Sequence, residues 1–254
     1  MTRSPNLGFE SKERTQTRSI PEDVSDPCHM VRNMRAAYID AHVDLLESFR
    51  RALAWAGRDS RVTIVGPSSS TIDASPFLKR SGLPIGVTSN KHSRFSARPA
   101  AGTVIAWCLY LNEILALQGR ADLDGVVVVR ALQSHAPWIT AHHAEALGEH
   151  PVATVGEATP PMKAMVAGIS MLPVLNHGLS DSRERSTAVE ALTFMHVRGH
   201  KLDPQQLIVE AQRQGWPGDS PQQLADLAKR INSGKQLRFQ NRLNPDAMAE
   251  WDRT

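Results

Sequence analysis

The chain has 254 residues, of which 41% are hydrophobic, 22% charged and 5% aromatic, and it has two cysteines and a formal net charge of +3. These values suit one large core, or one core with a small second domain. The two cysteines exclude a disulfide framework, and the sparse aromatic residues argue against a large aromatic platform for single strands. No window of 18 apolar residues occurs, which excludes a membrane span. The low cysteine content favours a reducing cytoplasm, and the mild positive charge permits a phosphate or nucleic-acid partner without requiring one.

The first 29 residues have the composition of an arm. The opening Met1–Pro5 lacks the apolar region of a secretory signal, and the following stretch is polar, mixed in charge and interrupted by Pro21 and Pro27. Such a segment has few apolar side chains to bury, so we predict that residues 1–29 are disordered or lie on the surface. The alternative is a tail that orders on a partner.

The segment Met30–Ala56 has the hydrophobic period of a helix. Apolar side chains recur at nearly helical spacing and charged ones fill the other face, with Gly57 as a stop signal. We therefore predict one long amphipathic helix over residues 30–56, packed on a sheet or on a second copy of the chain in a homo-oligomer.

Five short apolar runs follow and predict strands buried on both faces. They are Val62–Val65, Pro84–Thr88, Val126–Val129, Val152–Val155 and Met171–Leu175. Predicted helices separate several of them: Thr103–Gly119, Trp138–Glu149 and Pro160–Ile169. Alternating strands and helices indicate a Rossmann-like α/β fold, with a mostly parallel sheet of about five strands flanked by helices.

After Asn176 the pattern becomes helical only. Arg183–Arg198, Pro204–Gln214 and Pro221–Ile231 are predicted helices, and the last two share the sequence Pro-Gln-Gln-Leu at their start. We predict an α/β core domain over residues 30–178 and a helical C-terminal region with a basic tail over residues 179–254.

Polar groups follow every predicted strand, at the edge where ligands bind in open parallel sheets. Hydroxyls, amides and cations of this kind hold phosphates or carboxylates. The predicted ligand-binding residues are Ser68, Ser69, Ser70, Thr71, Lys91, Arg94, Arg130 and Asn176. We expect Ser68 to Ser70, Lys91, Arg94 and Arg130 to line one cleft. Neither a P-loop nor Gly-x-Gly-x-x-Gly is present, and the alternative is a serine-rich loop with local hydrogen bonds.

Two residues are candidate catalytic groups. Glu157 follows a predicted strand and has the chemistry of a general base, although a glutamate there also suits a helix start. His92 lies in the long polar loop Ser89–Thr103, whose alternative role is that of a solvated basic loop. The histidine spacings predict no metal site, because no His-Glu-x-x-His occurs. No cofactor is identified.

The C-terminal helices suggest a second class of function, a nucleic-acid binder with a helix-turn-helix-like region. The candidate contacts are Lys229, Arg230, Lys235, Arg238 and Arg242. Asp219 and Asp226 would face the same phosphates, so ordinary three-helix packing is the alternative.

The leading expectation is binding of a phosphorylated or anionic small molecule, such as a nucleotide, at the carboxyl ends of the strands. An interaction subunit is the third alternative, and whether catalysis accompanies binding is open.

Overall fold

A computed structural model describes residues 34–57, 61–88, 102–118, 123–172 and 179–254. Within these ranges the strands are β1 (Arg35–Asp40), β2 (Val62–Gly66), β3 (Ile85–Val87), β4 (Gly102–Trp107), β5 (Leu123–Ala131) and β6 (Glu145–Ala146). They form one sheet in the order β3-β2-β4-β5-β1-β6, and every neighbouring pair is parallel. The predicted α/β class is confirmed.

The helices, in chain order, are α1 (Leu45–Ala56), α2 (Ser69–Asp73), α3 (Pro76–Arg80), α4 (Leu111–Gln118), α5 (Ala136–Ala141), α6 (Pro160–Ser170), α7 (Ser182–Val197), α8 (Pro204–Arg213), α9 (Ser220–Asn232) and α10 (Pro245–Arg253). The first three pack on one face of the sheet, where Phe49 and Leu78 join a core with Ile64. The fourth and fifth pack on the other face, where Ile114 and Trp138 join a second core. The sheet is therefore a middle layer between two helical layers.

The last five helices build a third core of their own. Met165, Leu192 and Leu224 are fully buried in it. Ile208 of α8 and Ala225 of α9 point the other way and join the core between the sheet and α4 and α5. The C-terminal helices therefore dock on the sheet through apolar contacts, in addition to packing on one another.

The central strands β4 and β5 are apolar on both faces because helices cover both faces. Val126 to Val129 are all 0% exposed. The first residue of β4, Gly102, has φ +132°, and a Cβ there would lie 2.2 Å from the carbonyl oxygen of Arg61. Only glycine allows the two backbones to approach this closely.

The predicted helix over residues 30–56 is wrong in its first half. Arg35–Asp40 is strand β1, which pairs with β5 and β6, and helix α1 begins only after Asp44. The Asp44 carboxylate accepts hydrogen bonds from the amides of Leu46 and Glu47, which fixes the helix start. The buried run Ala37–Asp40 fits a strand covered on both faces, and its apolar spacing coincided with a helical period. The proposed oligomer contact therefore has no single helix to support it.

The predicted helix Thr103–Gly119 is also wrong in its first half. Its start belongs to strand β4, and only Leu111–Gln118 is helical, with Gly119 outside the described residues. A continuous apolar run does not distinguish a buried strand from a buried helix. The β-branched residues Thr103, Val104 and Ile105 favour the strand, and their position between β2 and β5 stabilises it.

Two predicted strands are not observed where they can be assessed. Residues 152–155 have no strand pairing, and the amide of Val155 donates to the hydroxyl of Thr140 at 2.9 Å. In the predicted strand Met171–Leu175, Met171 caps helix α6 and is 75% exposed, and residues 173–175 lie outside the described residues.

The predicted helix Trp138–Glu149 ends earlier than predicted, at Ala141. His143 has φ +48°, a left-handed conformation that ends the helical path.

Three predicted strands, helix α6 and the three C-terminal helices are confirmed, and α10 is an additional helix. The predicted arm, residues 1–29, lies outside the described residues, so it stays a prediction. In the described part of the chain, no helix is long and apolar enough to cross a membrane.

Candidate functional site

The topology predicts a crevice at the carboxyl ends of β2, β4 and β5, called here the strand-end crevice. The chain leaves β2 into α2 and α3 on one face of the sheet, and it leaves the neighbouring β4 into α4 on the other face. Loops that separate in this way open a crevice between two strands, which is where ligands bind in parallel α/β sheets.

The serine-rich segment after β2 forms the start of α2. The Ser68 hydroxyl accepts a hydrogen bond from the amide of Thr71 at 3.2 Å, and it also lies 2.8 Å from the hydroxyl of Ser70. Ser68 is therefore a helix cap, as the local alternative predicted. Ser69 and Ser70 are exposed at the same strand end, so their hydroxyls remain accessible to a ligand.

Arg130 occupies a β-bulge at the end of β5. The register between β1 and β5 shifts there: Ile39 is opposite Val129, whereas Asp40 is opposite Ala131. The extra residue, Arg130, has φ +61° and is exposed. Bulges and left-handed non-glycine residues carry a conformational cost and are frequent beside functional sites, because they redirect a side chain.

Cys108 follows β4 directly beside this bulge. Its φ is +56°, also in the left-handed region, and its amide donates to the carbonyl of Val129 at 3.2 Å. Burial raises the pKa of the Cys108 thiol, and the nearby guanidinium of Arg130 opposes this only in part. The thiol is therefore protonated at neutral pH, which does not favour a role as nucleophile.

Two buried polar side chains fix the loops around the crevice. Glu113 accepts from the hydroxyl of Thr88 and from the amide of Tyr110, so it ties the end of β3 to the start of α4. His135 accepts from the amide of Leu132 at 2.9 Å through Nδ1, and its Nε2 lies 2.9 Å from the carbonyl of Leu109. With Nε2 as donor, the ring joins the loops that follow β4 and β5.

A second polar group, not predicted from the sequence, lies at the end of β1. Asp40 is buried, and its carboxylate accepts from the amide of His42 at 2.8 Å and from that of His150 at 3.4 Å. The His42 and His150 rings meet edge to face at 5.1 Å. The signal was an apolar run that ends in aspartate, and the helical interpretation of residues 30–56 concealed it.

Glu157 does not follow a strand. Its carboxylate pairs with Lys163 of α6 at 2.5 Å and with Arg213 of α8 at 3.3 Å, and these partners lower its pKa to about 2. Its backbone carbonyl accepts from Gln206. A carboxylate with so low a pKa is a poor proton acceptor, so the geometry favours a role in joining two helices.

The structure describes only some of the other residues predicted to bind or act on a small molecule. Lys91, His92, Arg94 and Asn176 lie outside the described residues. Ser68 and Arg130 follow β2 and β5, which are separated by β4 alone, so their strand ends are roughly 10 Å apart at the usual strand spacing. That all these residues line one cleft stays a prediction.

Helix α9 has little free surface for reading bases. Leu224, Ala225 and Ile231 are buried, and Lys229 pairs with Asp226 of the same helix at 3.1 Å. Gln222 and Gln223 donate to Asp226 and Asp219, at 3.0 and 3.1 Å. This arrangement favours ordinary helix packing over a recognition helix, while Arg230 stays exposed without an ion pair to any described carboxylate.

The predicted basic residues Arg238 and Arg242 instead meet the start of α7. Residues 235–243, called here the strap, run beside that helix and leave a groove of about 420 Å³, called here the arginine groove. It is lined by Ser182, Arg183, Ser186, Arg238, Phe239, Gln240 and Arg242. Lys235, at the start of the strap, is exposed.

No metal centre is evident among the residues that the structure describes, where no three His, Cys, Asp or Glu side chains group together. His196 and His200 have the i, i+4 spacing of two metal ligands on one helix face, but their surroundings differ. His200 lies 2.6 Å from the Asp252 carboxylate of α10, and His196 is exposed on α7.

Comparison with known proteins adds one finding. Residues 163–252 match a family model described as a domain of unknown function, DUF1889. The match begins inside α6 and ends inside α10, so it covers the C-terminal helices and leaves out the sheet. No curated protein and no solved structure matches the chain.

Proposed function

We propose that the protein binds a phosphorylated or otherwise anionic small molecule, such as a nucleotide, in the strand-end crevice. The observation that carries the proposal is the bulge at Arg130, which presents an exposed guanidinium at the carboxyl end of β5. No carboxylate among the described residues forms an ion pair with it. A cation at the carboxyl ends of a parallel sheet that pairs with no described carboxylate suits an anionic ligand.

The other lip of the crevice supports the same chemistry. The exposed hydroxyls of Ser69 and Ser70 lie at the end of β2, beyond the intervening strand. Lys91 and Arg94 follow β3, the neighbour of β2 at the sheet edge, and we propose that they bind the same anion. Phosphate groups in proteins are held by this combination of hydroxyls and cations.

The proposal assigns binding and no reaction. The Glu157 carboxylate is committed to two cations, and the Cys108 thiol is protonated at neutral pH. Neither group suits nucleophilic or general-base catalysis in this arrangement. A reducing cytoplasm, proposed from the two cysteines, suits a free thiol at Cys108.

The experiment is thermal unfolding with millimolar ATP, AMP or inorganic phosphate, comparing the wild type with Arg130→Asn. Asparagine tolerates a left-handed backbone, so this variant removes the cation while retaining the turn. We expect ligand to raise the Tm of the wild type. In Arg130→Asn the apparent Kd should rise about tenfold or more, the effect of losing a hydrogen bond to a charged group.

The matched control is Arg230→Asn, which removes an exposed arginine of α9 and should leave the ligand response unchanged. Equal stabilisation of the wild type and Arg130→Asn by every ligand would contradict the proposal, as would the absence of any ligand response in the wild type.

A further inference from the structure

We propose that the arginine groove binds the phosphate backbone of single-stranded nucleic acid, with one base stacked on Phe239. The site is separate from the strand-end crevice, because α7 and the strap alone form it. It differs as well from a helix-turn-helix, since α9 contributes nothing to its lining.

The groove concentrates the positive charge of three arginines. Arg183, Arg238 and Arg242 line it together, and in the described part of the chain none of them forms an ion pair with a carboxylate. Arg213 and Arg198, by contrast, pair with Glu157 and Asp252. Three unpaired guanidinium groups in one groove favour an anionic ligand, because bringing them together without one costs repulsion.

The nearest carboxylates have other partners. Glu190 is buried and accepts from the amides of Arg242 and Leu243, at 2.8 and 3.2 Å. Asp181 caps α7 by accepting from the amide of Arg183 at 2.6 Å. These acidic groups therefore shape the backbone beside the groove, and neither forms an ion pair with its three arginines.

The strap is held in place before any ligand binds. The amide of Gln240 donates to the hydroxyl of Ser186 at 2.8 Å, and Leu237 and Leu243 pack on the helical core. The Arg242 guanidinium donates through Nε to the side-chain oxygen of Gln240 at 3.1 Å. A binding surface fixed in this way loses less conformational entropy when the ligand docks.

Phe239 directs the choice of ligand toward single strands. It is one of the exposed large hydrophobic residues, with 37% of its surface accessible, and it lies among the arginines. Cations that hold the backbone beside an aromatic ring that stacks a base are the usual means of binding single strands. In a duplex the bases are already stacked and paired, so Phe239 would have no base face to contact.

The chemistry also favours a strand over a single nucleotide. The groove volume of about 420 Å³, within the range of roughly 300–1,000 Å³ for small-ligand sites, suits one nucleotide of that strand, so the preference for a strand depends on cations beyond the groove. The exposed Lys235 lies three residues before Arg238 on the same strap, so a longer strand meets an additional cation. Each phosphate contact also releases counterions, which makes binding sensitive to salt.

The test is fluorescence anisotropy of the full chain with a labelled oligothymidylate of about 20 nucleotides, a length that exceeds the roughly 4–16 nucleotides bound by known single-strand sites. We expect binding that weakens with salt from 50 to 200 mM, the range in which phosphate contacts are lost. The slope of log K against log salt is negative, and in Arg183→Ala/Arg238→Ala it should become shallower by about 1.4, at about 0.7 for each lost contact. Phe239→Leu should weaken binding at least about fivefold without changing that slope.

The matched control is Arg50→Ala/Arg80→Ala, which removes two exposed arginines outside the groove that are not candidate nucleic-acid contacts. Thermal unfolding without ligand establishes that each variant folds, and Arg238→Lys provides a variant that keeps the charge and should keep the salt slope.

Several results would overturn the proposal: equal losses in the control, tighter binding to a duplex of the same length, or equal affinity for thymidine monophosphate. No binding by the wild type at low salt would overturn it as well. Arg130→Asn should leave oligonucleotide binding intact, so failure here is distinguishable from failure at the strand-end crevice.

Discussion

At the scale of single residues, His142 shows how burial controls protonation. Its ring packs on Trp138 with ring centres 5.4 Å apart, and its Nε2 lies 3.2 Å from the amide nitrogen of Gln118. Burial lowers the pKa of His142 to about 4, from the usual 6.5. The folded protein therefore holds a neutral imidazole over a pH range in which the unfolded chain binds a proton.

We expect this histidine to make the fold acid-sensitive. The unfolded state binds more protons between pH 6.5 and about 4, so stability falls as the pH falls through that range. The loss amounts to at most about 3 kcal/mol. Urea unfolding at pH 7, 5.5 and 4 should show the decline in the wild type and a shallower decline in His142→Gln.

The control for this experiment is His196→Gln, because His196 is exposed on α7. That variant should keep the wild-type pH profile. Parallel profiles for the wild type and His142→Gln would show that burial of this ring does not govern the acid response.

Glu157 is expected to add to this acid sensitivity at lower pH. Its pKa is lowered from 4.5 to about 2 by Lys163 and Arg213, so its contribution to stability is complete above pH 4.5 and disappears as the pH falls through about 2. The side chain is exposed and screened by solvent, so the effect is small. The urea midpoints of the wild type and Glu157→Gln should differ at pH 6 and converge near pH 2.

The control is Glu149→Gln, which removes an exposed carboxylate that pairs with no described cation. This variant should match the wild type at pH 6. A gap between the wild type and Glu157→Gln that persists at pH 2 would mean that the ion pairs are not its cause.

At the scale of elements, α8 and α9 join the two parts of the molecule. Ile208 is 4% exposed and belongs to the core under the sheet, whereas Leu207 beside it belongs to the core of the C-terminal helices. Two consecutive residues of one helix thus serve two cores. The helical region and the sheet should therefore unfold together.

We predict that Ile208→Ala lowers the free energy of unfolding by about 2–4 kcal/mol, because a buried side chain is lost and a cavity remains. Urea denaturation followed by both fluorescence and circular dichroism should give one transition. Val197→Ala is the control, since Val197 is 78% exposed and its truncation should cost little. Two separate transitions would contradict the shared core.

The success of sequence-based prediction at this scale depended on local signals. Helices α7, α8 and α9 were predicted almost to the residue. Prolines at the first turn mark the starts of α8 and α9, and Asp181 and Asp203 cap α7 and α8. Strands β1 and β4 were missed, because their apolar spacing also fits a helix and only sheet pairing distinguishes the two.

The site residues show the same contrast between local sequence signals, which are predictable, and contacts that form only on folding. Arg130 was predicted because it follows a run of four valines, but its bulge depends on pairing with β1, which local sequence does not reveal. Asp40 and His42 were missed together with β1. The groove formed by Arg183 and Arg238 joins residues that are far apart in sequence, and only the folded strap brings them together.

At the scale of the whole molecule, a three-layer α/β unit carries a helical module on one of its covered faces. The DUF1889 match spans that module alone, so the sheet and its strand-end crevice are a feature of this chain beyond the matched family region. The two proposed anion sites lie on different parts of this architecture, one at the strand ends and one beside α7.

The central claim is that the strand-end crevice binds an anionic small molecule, and amide hydrogen exchange with and without millimolar ATP tests it most directly. We predict slower exchange at the ends of β2, β4 and β5, at Ser69–Thr71, Cys108–Tyr110 and Arg130–Gln133, with little change in the strap. Slower exchange confined to the arginine groove, or no change anywhere in the chain, would contradict the claim.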